Sequence, residues 1–259
     1  MGYVKAKKYL GQHFLKDTNI AQKIVDSLIN QEAKKVLEIG PGMGVLTQFL
    51  LKNENYETSV IEIDEESVEY LQKKFPELQD RIISEDFLKF DINNFSSDRF
   101  SIIGNFPYNI SSQIFFKIIE NRDTVVEVVG MLQKEVAQRL AAKPGNKTYG
   151  ILSVLLQAYY KIEYLFTVNE NVFSPPPKVK SAVIRMTRNS VKKIDCDEDL
   201  FFRVIKTSFN QRRKTLNNSL KPILQNIKIK DDIMLKRPEQ LNVDNFIKLT
   251  NLVENYMKV

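Results

Sequence analysis

The stretch KKVLEIGPGMGVLT, residues 34–47, decides the fold. A short apolar run from Val36 to Ile39, broken by Glu38, stops at Gly40; Gly42 and Gly44 follow at two-residue spacing. The segment GVLTQFLLK (44–52) then reads as a helix. A strand that ends in glycines and turns into a helix bends tightly, lets a ligand approach the backbone and points helix amides at it. A dinucleotide fingerprint, G-x-G-x-x-G, places its third glycine where this chain has Val45, which disfavours a nicotinamide enzyme. No Gly-Lys-Ser/Thr follows, so a phosphate-binding P-loop fails as well. What remains is E-x-G-x-G-x-G.

Outward from this turn, strands alternate with helices. TSVIEID (58–64) is a strand and EESVEYLQKKF (65–75) a helix with Pro76 past its end; RIISED (81–86) and FSIIGN (100–105) are further strands. SSQIFFKIIE (111–120) is a helix with Ser111 or Ser112 as its cap, and TVVEVVGML (124–132) is a strand before the helix QKEVAQRLAA (133–142). GILSVLLQAYY (150–160) and TNIAQKIVDSLIN (18–30) have helical spacing, and KVKSAVIRMTR (178–188) alternates as a strand. This order means α/β units around a mostly parallel sheet. After Arg188 the pattern changes to helices at about 197–209, 212–220 and 238–257 with no convincing strand. The expected organisation is a domain of residues 1–189, opening with a basic arm (1–16), and a small all-helical domain of residues 190–259.

Composition is that of an ordinary globular protein, 43% hydrophobic and 27% charged over 259 residues. No apolar run approaches the ~18 residues that span a bilayer, and the basic N-terminus has no apolar segment behind it, so neither a membrane span nor a secretory signal is expected. One cysteine, Cys196, excludes an internal disulfide, and with one histidine, His13, no metal site is expected. A reducing cytoplasm is the default. The net charge of +6 is uneven: residues 190–259 hold fourteen Lys and Arg against nine acids, +5, residues 1–16 are +4, and the middle is −3. Two basic regions flanking an acidic middle suggest a polyanionic partner.

The sheet edge carries the chemistry. Glu62, 22 residues past Gly40 at the end of the second strand, can accept hydrogen bonds from both hydroxyls of a ribose. Glu85-Asp86-Phe87 ends the third strand, where a carboxylate beside an aromatic can hold an adenine amine while the ring packs on the base. Any one of these acids alone is a solvated strand end; three strand ends in order after a glycine turn imply a ligand with an adenosine. The fourth strand ends in GNFPYNIS (104–111), and that stretch is either a turn or a site for a planar amine. The Asn105 oxygen and a neighbouring carbonyl can accept both hydrogens of an adenine amine, favouring a pyramidal nitrogen whose lone pair faces a methyl donor. Pro107 holds the carbonyl of Phe106 in place, and Tyr108 offers a ring for the base. In NVFSPPPKVKS (171–181), Phe173 before three prolines is either the other side of a base sandwich or a core residue. Arg212, Arg213 and Lys214 are either phosphate contacts or a solvated helix face.

Together GQHFL, LEIGPGMGVLT, VIEID, EDFLKFD, GNFPYNIS, KEVAQRLAAKPGNKTYGILSVLLQ, VFSPPPKVKSAVIR and FNQRRKTLNNSL resemble the bacterial small-subunit (16S) rRNA adenine N6,N6-dimethyltransferases. The resemblance implies a Rossmann-like S-adenosylmethionine-dependent methyltransferase with a seven-stranded sheet. It implies transfer of methyl groups to N6 of two adjacent adenosines in the 3′-terminal helix loop of small-subunit rRNA during ribosome biogenesis, by a monomer. Carried over, the cofactor touches His13, Leu15, Gly40, Glu62, Asp86 and Asn105, the catalytic motif is Asn105, Phe106, Pro107 and Tyr108, and Phe173 is the second stacking ring. The family often has Leu where this chain has Phe106 and Asn where it has His13. Two rivals remain: a large-subunit rRNA adenine methyltransferase of the macrolide-resistance type, and a non-catalytic assembly factor for the small subunit.

Overall fold

The computed structural model describes residues 4–29, 33–225 and 227–258. Its strands are β1 (Phe14–Leu15), β2 (Lys35–Ile39), β3 (Glu57–Ile61), β4 (Ile82–Ile83) and β5 (Phe100–Asn105), then β6 (Val125–Gln133), β7 (Tyr160–Val168), β8 (Phe173–Ser174) and β9 (Ser181–Arg188). The α-helices are α1 (Thr18–Val25), α2 (Thr47–Leu50), α3 (Glu65–Lys74), α4 (Ser111–Glu120) and α5 (Lys134–Leu140). They continue with α6 (Ile151–Gln157), α7 (Glu198–Asn210), α8 (Leu216–Ser219), α9 (Lys221–Leu224) and α10 (Val243–Met257). Seven strands form one sheet in the order β4-β3-β2-β5-β6-β9-β7, and β1 pairs antiparallel with β8.

From β4 through β6 every neighbouring pair is parallel, and β9 runs antiparallel to β6. The order proceeds one way from β2 to β4 and the other way from β5 to β6. The crevice outside the carboxyl ends of β2 and β5 is therefore the switch point where open α/β sheets bind ligands. Register sets Glu38 beside Ile103, so the glycine turn after β2 and Asn105 at the end of β5 emerge side by side. The central strands are buried almost throughout, as in a sheet covered on both faces, and for that reason they read as continuous apolar runs.

Several elements differ from the sequence reading. The helix expected over 18–30 ends at Val25, with Asp17 accepting from Asn19 N (2.9 Å) and Ile20 N (3.0 Å) as its cap; Asn30 lies outside the described residues. The 44–52 helix shrinks to α2, because Gly40, Gly42 and Gly44 all take positive φ (64°, 55° and 74°) in the turn before it. Neither Ser111 nor Ser112 caps α4: the cap position is Ile110, and the Ser111 hydroxyl donates to Tyr108 O (3.3 Å). Strand β7 had no counterpart in the sequence reading. Most of it is half-exposed on both faces, so no apolar alternation marks it.

The chain divides into two compact units, Met1–Ala137 with Lys161–Arg188, and Gln138–Tyr160 with Asn189–Val259. The second unit takes in residues 138–160, which the sequence reading placed in the 1–189 domain. Side chains fold that segment on itself: Ser153 Oγ donates to Arg139 O (2.6 Å), and Gln157 Nε2 to Leu140 O and Ala142 O (2.9 Å each). Within this unit the rings of Tyr149, Phe209 and Phe246 pack in series, at 6.4 and 6.0 Å between centroids. Among the described residues no helix is long and apolar enough to cross a membrane.

Candidate active site

A cavity of about 250 Å³ opens at the switch point in the first unit. Its walls come from the glycine turn after β2, the ends of β3 and β5, the turn after β4, and residues 10–14 of the N-terminal arm. His13, Gly40, Glu62, Asp86 and the Asn105–Tyr108 run all line it.

Glu62 is nearly buried, at 4% exposure. Its Oε2 accepts from Gly42 N (3.1 Å) and its Oε1 from Asp64 N (3.0 Å). A carboxylate has four lone-pair sites, so acceptor capacity remains for a ligand. Burial pushes this carboxyl upward, against the backbone N–H groups of Asp64, Gly42 and Ile63. Glu38 of the glycine motif stands behind the wall instead. It is buried, accepts from Thr47 Oγ1 (2.6 Å), and desolvation pushes its carboxyl up to about 8. Asp86 opens a tight turn: its Oδ1 accepts from Leu88 N, and its carbonyl from Lys89 N and Phe90 N, all at 2.9 Å.

The Asn105 amide has its orientation fixed. Asn105 Nδ2 donates to the backbone carbonyl of His13 (2.8 Å), an acceptor that only the NH₂ side can satisfy, so Oδ1 is left to accept from a ligand. The next carbonyls along the loop are engaged, Pro107 O by Ile110 N (3.3 Å) and Tyr108 O by Ser111 Oγ. That leaves Phe106 O as the second acceptor. The Phe106 side chain is a buried plug: a Cβ on Gly130 would lie 2.5 Å from its ring, and Phe115 meets it edge-on at 5.9 Å. Its N–H donates to Met131 O (2.9 Å), which seats the loop on β6. Tyr108 OH shares a hydrogen bond with Ser181 Oγ (2.5 Å), and the His13 ring lies 5.3 Å from the Tyr108 ring at 35°. His13 Nδ1, facing the carbonyl of Pro175 at 2.8 Å, carries the proton.

Two predicted residues are not brought to the cavity. Phe173 pairs with Leu15 across β1 and β8, and both side chains lie in one core cluster, 1% and 4% exposed. Phe173 therefore has no open face for a base in this structure; of the two rings expected to stack, only Tyr108 lines the cavity. Leu15 likewise anchors the arm and leaves the wall to its neighbours. In the second unit, Arg212 Nη2 donates to Asn146 O (3.0 Å) and its Nε lies 3.9 Å from Glu239, which commits this side chain to local structure. Arg213 and Lys214 are exposed.

The contacts that hold the N-terminal arm in place escaped the sequence reading. Lys7 Nζ pairs with Asp64 and with Glu66 (3.1 Å), while Gln12 receives Lys7 N through Oε1 (2.8 Å) and reaches Asp64 Oδ2 through Nε2 (3.3 Å). Burial alone would raise Asp64; the bonds from Lys7, Ser67 and Gln12 outweigh it and hold the carboxyl below its ordinary value. The arm is thus clipped to the end of β3 at one point and to Asn105 at another. The only hint in the sequence was a second acid two residues after Glu62.

A family model described as ribosomal RNA adenine dimethylase matches residues 3–254. The chain is 62% identical to a ribosomal RNA small subunit methyltransferase A of Cytophaga hutchinsonii, over 98% of this chain and 99% of that one. It is 59% identical to the protein of that name from Bacteroides thetaiotaomicron, over 100% and 97%. Among solved structures, a dimethyladenosine transferase from Plasmodium falciparum superposes with a TM-score of 0.80 at 25% identity, covering 95% of this chain and 98% of that one. The 23S rRNA methyltransferase ErmE shares the fold, with a TM-score of 0.65 at 22% identity, over 92% and 99%.

Proposed function

The chain belongs to the ribosomal RNA adenine dimethylase family, and on that premise we propose how its residues transfer methyl groups to N6 of two adjacent adenosines in the 3′-terminal helix loop of small-subunit rRNA. The enzyme is an S-adenosylmethionine-dependent rRNA adenine dimethyltransferase. Bound S-adenosylmethionine supplies a methyl carbon made electrophilic by the sulfonium it departs from. The cavity suits such a group: Glu62 is a nearly buried carboxylate on its wall with acceptor capacity left for a ribose diol, and Asp86 beside Phe87 offers an acceptor next to a ring.

The single observation that carries the catalytic reading is the Asn105 amide, locked by His13 O with its oxygen turned outward. Asn105 Oδ1 and Phe106 O each accept one hydrogen of the target amine, which draws its lone pair out of conjugation with the ring. Tyr108, steadied by Ser181, stacks on the base; base–aromatic stacking contributes ~1–3 kcal/mol. No strong base is needed, because the alkylated nitrogen is acidic and releases its proton to water. The adenosines lie in a loop, where splaying a base out is easier than from a duplex. Arg213 and Lys214 hold phosphates, which positions the RNA without reading sequence. We place the reaction in the cytoplasm, carried out by a monomer.

Incubation with purified small and large subunits and labelled donor tests the substrate; label in the large subunit alone would refute it. Asn105→Ala should abolish transfer, by at least about 10²-fold in kcat, while sparing RNA affinity. Unchanged turnover would remove Asn105 from the mechanism.

A further inference from the structure

Lys117 lies on α4, the helix that follows the Asn105–Tyr108 loop, and it reaches back to a different part of the cavity. Its Nζ donates to the carbonyls of Leu88 (3.1 Å) and Phe90, and sits 5.2 Å from the centre of the Phe87 ring. Those three residues belong to the turn that Asp86 opens. Asp86, Phe87 and Leu88 line the cavity, whereas Lys117 does not. The turn has its own backbone bonds, from Leu88, Lys89 and Phe90 to Asp86, but those close it only on itself. The ammonium adds a polar tie from this turn to α4. A half-buried cation with three donors can satisfy two outward carbonyls at once and lie against an aromatic ring, a task no neutral side chain of that length performs.

We infer that Lys117 is a positioning residue for the adenine end of the cofactor site, acting through Asp86 and Phe87 without touching the ligand. The inference rests on the reading of Asp86–Phe87 as the adenine contact. Its removal leaves the turn intact but no longer held at one distance from the end of β5. Affinity for the adenosyl group then falls, while the chemistry at Asn105 is spared.

The test is equilibrium binding of S-adenosylhomocysteine to the full chain, by calorimetry, with methyl transfer to small subunits and a melting curve measured alongside. Lys117→Met should raise Kd about tenfold, the scale of a lost charge-assisted hydrogen bond, with kcat at saturating donor within about twofold of wild type. Lys117→Arg, whose guanidinium can also span two carbonyls, should recover most of the affinity. Asp86→Asn should weaken binding by itself, and Lys117→Met combined with it should weaken binding by less than the product of the two single effects. Should Lys117→Met not fold, Lys117→Gln takes its place with the same expectations. Wild-type Kd in the Lys117 variant together with a weakened Asp86→Asn overturns the inference and leaves the adenine reading standing. Fully multiplicative effects overturn it as well. Wild-type binding by Asp86→Asn refutes the adenine reading and takes the inference with it.

Discussion

Replacing Gly11 by alanine should unseat the N-terminal arm, and the structure gives the size of the effect. Gly11 has φ 65° and ψ 27°, at the end of the short turn over Lys8–Leu10. A left-handed conformation costs an alanine roughly 1–2 kcal/mol. The added Cβ would also lie 2.6 Å from Asn109 Oδ1 and 3.1 Å from its Cγ, a contact that the arm or Asn109 must relieve. Overpacking of that kind costs about 1–3 kcal/mol. Together these give ~3 kcal/mol against the docked arm, or about 10²-fold in the affinity for S-adenosylhomocysteine. Calorimetry on Gly11→Ala, Asn109→Ala and the double variant separates the two parts. With Asn109 cut back to alanine, the nearest remaining atom is Asn109 N at 3.7 Å, an ordinary contact. The double variant should therefore bind about tenfold better than Gly11→Ala while still short of wild type. Wild-type affinity in Gly11→Ala, or a double variant no better than the single, would refute the view that arm closure at this contact builds the cofactor site.

Other consequences are as direct. Ser181→Ala should lower kcat/KM for the RNA about fivefold, the effect of one lost hydrogen bond on the Tyr108 ring, and leave cofactor affinity unchanged; an equal loss in cofactor binding would contradict that division of labour. Glu38→Gln should flatten the pH dependence of stability. Below about pH 4.5 the carboxyl is neutral in both states; between there and about 8 the unfolded chain ionises while desolvation keeps the folded one neutral, so wild-type stability falls as pH rises. Melting curves from pH 5 to 8.5 should show the variant gaining on wild type, and parallel curves would argue against a neutral Glu38. Arg212→Ala should lower the melting temperature by about 2–4 °C, the shift of a lost structural bond of ~1 kcal/mol, whereas Arg213→Ala should leave it unmoved and reduce the salt slope of RNA binding by about 1.

The strand ends were legible because each places chemistry at one edge in chain order. The glycine turn, Glu62, Asp86 and Asn105 converge only if β2 to β5 are parallel and adjacent, and the alternation of strands and helices implies as much. What could not be read depends on contacts between distant segments. Phe173 beside three prolines reads equally well as an exposed ring or a buried one; only its pairing with Leu15 decides. Arg212 and Lys214 are two residues apart in one basic run, yet one is spent on Asn146 and the other faces solvent. Lys7 resembles any lysine of a basic arm until Asp64 is seen opposite it. Strand β7 lies at the sheet's edge, so neither face imposes a hydrophobic rhythm on it.

The pairing of β1 with β8 also orders events during synthesis. Residues 14–15 leave the ribosome early, but their partners at 173–174, and the Pro175 carbonyl that holds His13, are made about 160 residues later. Until then the leading segment has no strand to add to and no acceptor for its imidazole. A chain halted short of that point carries the glycine turn, Asp64 and Asn105, and so both clips of the arm, but it leaves β1 unpaired. The last fastening of the arm therefore waits for residues 173–175 to be made.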